Sequence, residues 1–301
     1  MDNSEWIDHI NVLKAKNTIT GTKKNIYNAL KESIIKKTAK KPFGILFSGG
    51  IDSTLIAKIC QDYGLQFRCF CIGLKGSKDI EAAKKISKLL KLELIYKEVE
   101  IEDVENLLVK VIETLPKPII EDDNYIEYIV KVSVSAVMLA SITLGEEKTF
   151  LSGIGAEELF AGYHRHTLSI SKKGKWRGQQ IKGLEDESWD GIKRLYNLVI
   201  SRDQLIAKSA NKKIRNPYID DRLIRLSMNV PSEEKIDHYK NKKILREIAS
   251  DIGVPKDAYS RKKKGAQYGS GFDKAIIKLA KMNGFKLKKR YIESLLEKIK
   301  P

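Results

Sequence analysis

Phe43-Gly-Ile-Leu-Phe-Ser-Gly-Gly-Ile-Asp-Ser-Thr54 is the stretch from which the rest of this chain can be read. An apolar run of strand length breaks at Ser48-Gly49-Gly50. It restarts at Asp52 with helical periodicity, placing Leu55, Ile56, Ile59 and Cys60 on one face, and stops at Gly64. The pattern predicts a strand, a tight turn and a helix N-terminus. Two adjacent glycines let backbone amides approach a ligand closely. The helix start adds unpaired N–H groups and the positive end of its dipole, so the physical expectation is a phosphate site. A plainer account, in which Asp52 or Ser53 merely caps the helix, fits the same residues. There is no Gly-Lys-Ser/Thr, so this is not a Walker A loop, and no third glycine stands where a dinucleotide fingerprint needs one.

Working outward, a second strand is expected at 66–73 and a helix over Asp79 to Leu90, led by Ser77 and Asp79 as cap and first-turn acid. A third strand is expected at Leu92 to Tyr96. Upstream, residues 1–20 are mixed and polar, and a helix is expected from Gly21 to Thr38. Downstream, helices are expected over Glu102 to Leu115 and Tyr125 to Leu144, the latter apolar nearly all round and therefore buried. Thr149-Phe-Leu151 reads as a further strand and opens into Ser152-Gly-Ile-Gly-Ala-Glu-Glu-Leu-Phe-Ala-Gly-Tyr163, a second glycine turn carrying adjacent carboxylates. Strands alternating with helices predict right-handed βαβ units, an α/β fold with a parallel twisted sheet of about five strands flanked by helices. Ligands of such sheets collect beyond the carboxyl ends of the strands, so both glycine turns are expected to face one crevice.

From Lys172 to Ser188 the chain is polar and rich in glycine and lysine, with Trp176 and Arg177 near its middle; it reads as a mobile loop or lid with RNA contact as an alternative. The remainder reads as helices separated by Asn216-Pro217, Pro231 and Gly253-Val-Pro255, without strand-like alternation. The expected organisation is one domain over 1–301: a helical extension at 1–40, a nucleotide-binding core at 41–165 and a helical part at 166–301.

The chain has 301 residues, 42% of them hydrophobic, enough for an ample core. No secretory leader or membrane-length apolar run is evident, so the expectation is a cytoplasmic protein. Net charge is +17, but the lysines are spread along helices without interleaved aromatics or arginine clusters, which favours a solvated surface over a nucleic-acid face. Of the three cysteines, Cys69 and Cys71 alternate along a strand and share a face. With no CxxC pair, a core role is expected for them rather than a metal site.

Ser48-Gly-Gly-Ile-Asp-Ser53 resembles the PP-loop (SGGxDS) of ATP pyrophosphatases, which cleave ATP between its α and β phosphates to adenylate a substrate. Together with four further segments it is similar to the synthetase domain of the asparagine synthetase family, which also includes β-lactam synthetase. Ser152 to Tyr163 is similar to the family's SGxG(S/A)DE(L/I)FGGY, and Arg215-Asn-Pro-Tyr-Ile-Asp220 resembles RxPFLD. Lys242-Lys-Ile-Leu-Arg246 resembles KxxLR, and Arg261-Lys-Lys-Lys-Gly-Ala-Gln-Tyr-Gly-Ser-Gly271 resembles the late lysine loop. The similarity runs from 43 to 272.

The resemblance implies an adenine nucleotide α-hydrolase-like fold, with ATP and Mg²⁺ as cofactors. It assigns the pyrophosphate end of ATP to Ser48, Gly49, Gly50 and Ser53, and adenine to the backbone at Leu46, Ile72 and Gly153. Asp52 and Glu157 correspond to the two carboxylates that hold Mg²⁺, an ion that uses few protein carboxylates beside substrate phosphates. Glu157 replaces the usual aspartate and is one methylene longer, which allows coordination through water; as plain first-turn acids, Glu157 and Glu158 would favour the helix dipole. Lys242 and Lys263 match the two lysines that stabilise charge on leaving pyrophosphate and on the reacting centre. Glu158 and Asp203 fall in segments tied to substrate, and for Asp203 a surface ion pair with Arg202 is an adequate alternative.

Two departures bear on the substrate. Asparagine synthetases carry a proton-handling glutamate after the first Ser-Gly, whereas this chain has Ile154, which cannot accept a proton; β-lactam synthetases carry tyrosine there. Glutamine-dependent members begin with a cysteine nucleophile and a glutaminase domain, while this sequence begins Met1-Asp2-Asn3 and reaches the PP-loop at residue 48. The expectation is therefore a ligase without glutaminase activity, which adenylates a carboxylate, first of all L-aspartate, and transfers it to ammonia, another amine or nitrogen from a separate glutaminase subunit. Two alternatives stand beside it: a tRNA-modifying PP-loop enzyme that adenylates a base, and an ATP-binding regulatory protein that lost catalysis at Ile154.

Overall fold

The break at Ser48-Gly49-Gly50 divides two periodicities, and each side folds accordingly. In the computed structural model, residues 1–38, 42–118, 125–170, 175–176, 179–180, 182–262 and 264–299 are described. The chain opens with α1 (Asn3–Ala15) and α2 (Lys23–Lys37). It continues through β1 (Phe43–Leu46), α3 (Ile51–Asp62), β2 (Phe67–Leu74), α4 (Lys78–Leu90), β3 (Leu94–Val99), α5 (Ile101–Thr114), α6 (Tyr125–Ile142) and β4 (Thr149–Leu151). After α7 (Ala156–Leu159) and α8 (His164–Ile170) comes an antiparallel pair, β5 (Lys175–Trp176) and β6 (Gln179–Gln180). Then α9 (Leu184–Leu195) runs through a π-helical turn at Tyr196–Ile200 into α10 (Ser201–Ser209), followed by β7 (Lys213–Arg215). Helices α11 (Asp221–Met228), α12 (Ser232–Lys235), α13 (Lys243–Asp251), α14 (Lys256–Tyr259), α15 (Ala266–Gly269), α16 (Phe272–Met282) and α17 (Lys288–Ile299) complete it.

The five strands β3-β2-β1-β4-β7 form one parallel sheet with β1 at its centre, as the alternation of strands and helices predicts. Side-chain alternation splits the core in two. Ile45, Cys69, Cys71 and Leu151 face α3, α4 and the N-terminal helices, whereas Phe70, Ile72 and Phe150 face α5, α6, α16 and α17. All three cysteines are buried; burial pushes the thiols of Cys60 and Cys69 up, and that of Cys71 up to about 12. No group of three or more His, Cys, Asp or Glu that could hold a metal is found among the described residues. Helix α6 is buried along most of its length, with Val130 exposed, and no described helix is long and apolar enough to cross a membrane.

Several expectations need correction. Within the expected helical extension at 1–40, the first twenty residues, read only as mixed and polar, contain α1, opened by a capping box between Asp2 and Glu5, with Trp6, Ile10 and Leu13 buried. The Trp6 indole donates to the carbonyl of Ile192 at 2.8 Å, so the helix is docked on α9. The third strand starts later and runs further, because Lys91 adopts a left-handed conformation (φ 54°) and the exposed sheet edge accommodates Lys97 and Glu98. Ser77 is the N-cap of α4 but makes no capping bond. The C-terminal half is not wholly helical: β7 pairs Thr149 with Lys213 and Leu151 with Arg215, completing the sheet. The expected lid from 172 to 188 lies partly outside the described residues; its described parts are β5, β6 and the start of α9.

Candidate active site

β1 and β4 are neighbours in the sheet, so the turns at their carboxyl ends lie side by side. In the first turn Gly49 has φ +68°, and a Cβ there would lie 2.6 Å from the backbone carbonyl carbon of Ala82, so the turn rests directly on α4. Gly50 is the N-cap of α3 and contributes no side-chain capping bond. The amides of the first turn of α3 are therefore not taken up by a side-chain cap. This corrects the reading of Asp52 or Ser53 as the cap; the Ser53 hydroxyl donates to the carbonyl of Gly50 at 3.3 Å. In the second turn Gly155, at φ +99°, is the N-cap of α7 and puts Glu157 and Glu158 in its first turn.

The two turns are joined by a lysine from the helical half. Lys242 is the N-cap of α13 and is only 2% exposed. Its ammonium donates to both carboxylate oxygens of Asp52, at 2.7 and 2.8 Å, and to Oε1 of Glu157 at 2.8 Å. Gly162 closes over this triad: a Cβ there would stand 1.7 Å from Glu157 Oε2 and 2.4 Å from Lys242 Cε. Asn241 donates to the carbonyl of Gly162 at 2.9 Å and is itself held by Arg246, whose guanidinium burial pushes below its ordinary value. The Tyr218 hydroxyl donates to the carbonyl of Asp52 at 3.1 Å. Two buried carboxylates converging on one cation form a hard oxygen pair, and that donor set fits a divalent ion shared with phosphates.

A cavity of about 220 Å³ runs along both turns. Leu46, Ile72 and Gly153 line it, with Ser48, Gly50 and Ser53 along the first turn; Gly49 is turned against α4 instead. Arg261, which also lines the cavity, clamps the first turn, donating from Nη1 to the carbonyl of Ser48 at 2.7 Å. From Nη2 it donates to the Lys78 carbonyl at 2.9 Å and to Asp79 at 2.7 Å. Lys262 and Lys264 line the cavity, and contact with Lys78 lowers the Lys264 ammonium from the usual lysine value. Lys263 lies outside the described residues.

The cavity is also lined by Ile154, Leu195 and Val199 together with two engaged carboxylates. Glu158 accepts from the Tyr163 hydroxyl at 2.7 Å, and burial pushes its carboxyl up. Asp203 accepts two bonds from Arg202, at 2.8 and 2.6 Å, and burial raises its carboxyl as well. Both partners are buried, so this is not the surface ion pair that the sequence allowed. Arg261, Tyr218, Tyr163 and Asn241 were assigned no role from sequence, although Tyr163, Tyr218 and Arg261 stand inside the motif segments and Asn241 directly precedes the one that starts at Lys242.

An open α/β sheet whose central strand ends open onto one carboxylate-lined cavity defines the class of this domain. Its sequence matches a family model described as asparagine synthase over residues 25–213 and 182–288. A protein of Methanocaldococcus jannaschii, provisionally named glutamine-hydrolyzing asparagine synthetase 1, is 30% identical over 92% of this chain and 55% of its own length. The glutamine-hydrolyzing asparagine synthetase 2 of Oryza sativa subsp. japonica is 27% identical over 69% of this chain and 34% of its own length. The nodule glutamine-hydrolyzing asparagine synthetase of Pisum sativum is 26% identical over 81% of this chain and 42% of its own length. This chain belongs to the asparagine synthase family. It spans about half, or less, of the length of these relatives.

Proposed function

We propose that this chain is an ATP-dependent ligase that releases AMP and pyrophosphate while joining a carboxylate to ammonia or an amine. The observation that carries the reading is the convergence of Asp52, Glu157 and Lys242 on the cavity shared by the two turns. Phosphates of ATP meet the amides at Ser48, Gly50 and Ser53 and the start of α3. Adenine meets the backbone at Leu46, Ile72 and Gly153. Asp52 and Glu157 hold Mg²⁺, which when bound supplies charge neutralisation for the phosphates and leaving pyrophosphate.

A substrate carboxylate at the Ile154 end attacks the α-phosphorus, and the bond to the β-phosphate oxygen breaks. Lys242 and Lys263 stabilise the charge that develops on pyrophosphate. The amine then attacks the acyl carbon of the adenylate and AMP leaves. Ile154 cannot take the amine's proton, and Glu158, whose carboxyl burial pushes up, is the carboxylate of that turn not assigned to the metal, since Glu157 beside it faces Lys242. L-Aspartate and ammonia are the pair proposed, with Arg202 and Asp203 at the substrate end. Nitrogen arrives as ammonia, as another amine or from a glutaminase on a separate subunit, and the setting is the cytoplasm.

The test is product analysis with Mg-ATP, ammonium chloride and a panel of carboxylic acids including L-aspartate. AMP and amide formed in equal amounts with one acid support the reading. ADP and phosphate as the products, with no AMP for any acid, contradict it.

A further inference from the structure

We propose that Lys242 is a displaceable cation: before nucleotide binds, its ammonium fills the place between Asp52 and Glu157 that a divalent ion takes afterwards. The site then accepts the metal only together with phosphates that can receive the displaced ammonium. This rests on the reading of the cavity as an Mg-ATP site and adds an order of binding to it.

Charge and burial carry the argument. The ammonium is 2.7 and 2.8 Å from the Asp52 oxygens and 2.8 Å from Glu157, and all three side chains are buried. The ammonium is the cation in direct contact with both carboxylates, and the Arg246 guanidinium adds a further positive charge that acts on Asp52 and Glu157, so the buried carboxylates are already compensated before any metal arrives. A divalent ion arriving alone must either share the carboxylates with the ammonium, against like-charge repulsion, or expel it. Expulsion needs an anionic acceptor. The other carboxylates lining the cavity are engaged: Asp79 by Arg261, Glu158 by Tyr163 and Asp203 by Arg202.

The backbone of Lys242 is fixed. It holds a left-handed conformation (φ 54°) next to Asn241, which Arg246 and Gly162 secure, so only the side chain can swing. The glycine turn at Ser48 to Gly50 lies along the same cavity, where arriving phosphates supply the missing anion. With metal and phosphates together the ledger balances: the divalent ion neutralises Asp52 and Glu157, and the ammonium moves onto phosphate oxygens.

The test uses the full chain and Mn²⁺ as the probe, with bound ion read by electron paramagnetic resonance. Wild type without nucleotide should bind Mn²⁺ at least tenfold more weakly than Lys242→Gln, and α,β-methylene-ATP should remove that difference. Equal Mn²⁺ affinity of wild type and a folded Lys242→Gln variant, without nucleotide, overturns the proposal. A measurement on wild type alone covers a variant that fails to fold. The Lys242 ammonium signal in ¹⁵N-lysine NMR should be unmoved by Mg²⁺ and shift when Mg²⁺ and α,β-methylene-ATP are added together. A shift with Mg²⁺ alone, or none with the nucleotide bound, overturns it. Failure of the nucleotide to bind at all removes the Mg-ATP reading and this inference with it.

Discussion

Lys242 grips both carboxylate oxygens of Asp52, at 2.7 and 2.8 Å, across 190 residues of sequence. The contact ties the helical half of the chain to the first turn of α3, and Glu157 joins it from the second glycine turn. Lys242→Ala leaves two buried carboxylates without their cation, a loss of the kind that costs about 3–5 kcal/mol. Urea unfolding should show that loss with the slope unchanged, and added Mg²⁺ should restore part of it by binding the two carboxylates. A variant as stable as wild type would show that the triad does not support the fold.

Gly162 separates a functional from a structural effect. A Cβ at this position falls 1.7 Å from Glu157 Oε2 and 2.4 Å from Lys242 Cε, both ends of side chains locked in the triad. Gly162→Ala should therefore displace the triad and reduce AMP formation by at least about a hundredfold, the scale seen when a preorganised charged group is lost. Far-ultraviolet circular dichroism should stay that of wild type. Near-normal turnover would mean that the triad geometry is not required.

Arg261 holds the Ser48 carbonyl and Asp79 together, so it sets the shape of the phosphate turn and has no hydrogen bond to Glu158, Arg202 or Asp203. Removing hydrogen bonds to charged groups costs about 1.5–3 kcal/mol each, roughly 10- to 150-fold. Arg261→Ala should raise the KM for ATP by at least about tenfold and leave the KM for the carboxylate within about twofold. Equal increases in both would place Arg261 in general folding instead.

How far the site was legible depended on how local its signals were. Both glycine turns were visible because each interrupts a strand period and starts a helical one. The pairing of Asp52 with Glu157 came from the resemblance of those turns to the family's motifs, since taken alone each carboxylate also fits a helix-start role. The contact of each with Lys242 has no local mark, since sequence spacing says nothing about which lysine of so basic a chain is buried. The same blindness to burial made Arg202–Asp203 read as a possible surface pair. Strand β7 is Lys-Ile-Arg, too short to alternate, and exists because the edge of β4 offers hydrogen bonds. In α1 only Trp6, Ile10 and Leu13 are buried among polar neighbours, and the Asp2–Glu5 capping box was the unused signal.

His166 gives the fold an acid-side limit. Burial holds its imidazole down to about 3, against 6.5 for the ordinary side chain. Below pH 6.5 the unfolded chain takes up a proton that the folded protein refuses, so the unfolded state binds more protons and stability falls as pH falls, down to about pH 3. The expected loss from this residue between pH 7 and pH 5 is about 2 kcal/mol. Urea unfolding of wild type and His166→Asn at both pH values should show the gap between them narrowing by that amount. A gap independent of pH would contradict the neutral, buried imidazole.

ATP–pyrophosphate exchange is the most direct measurement of the central claim, because it reads adenylation before any amine is needed. With Mg-ATP, labelled pyrophosphate and a panel of carboxylic acids that includes L-aspartate, wild type should transfer label into ATP in the presence of its carboxylate and not without it. Asp52→Asn should abolish that exchange. No exchange with any carboxylate, in a protein shown to bind Mg-ATP, would contradict the account.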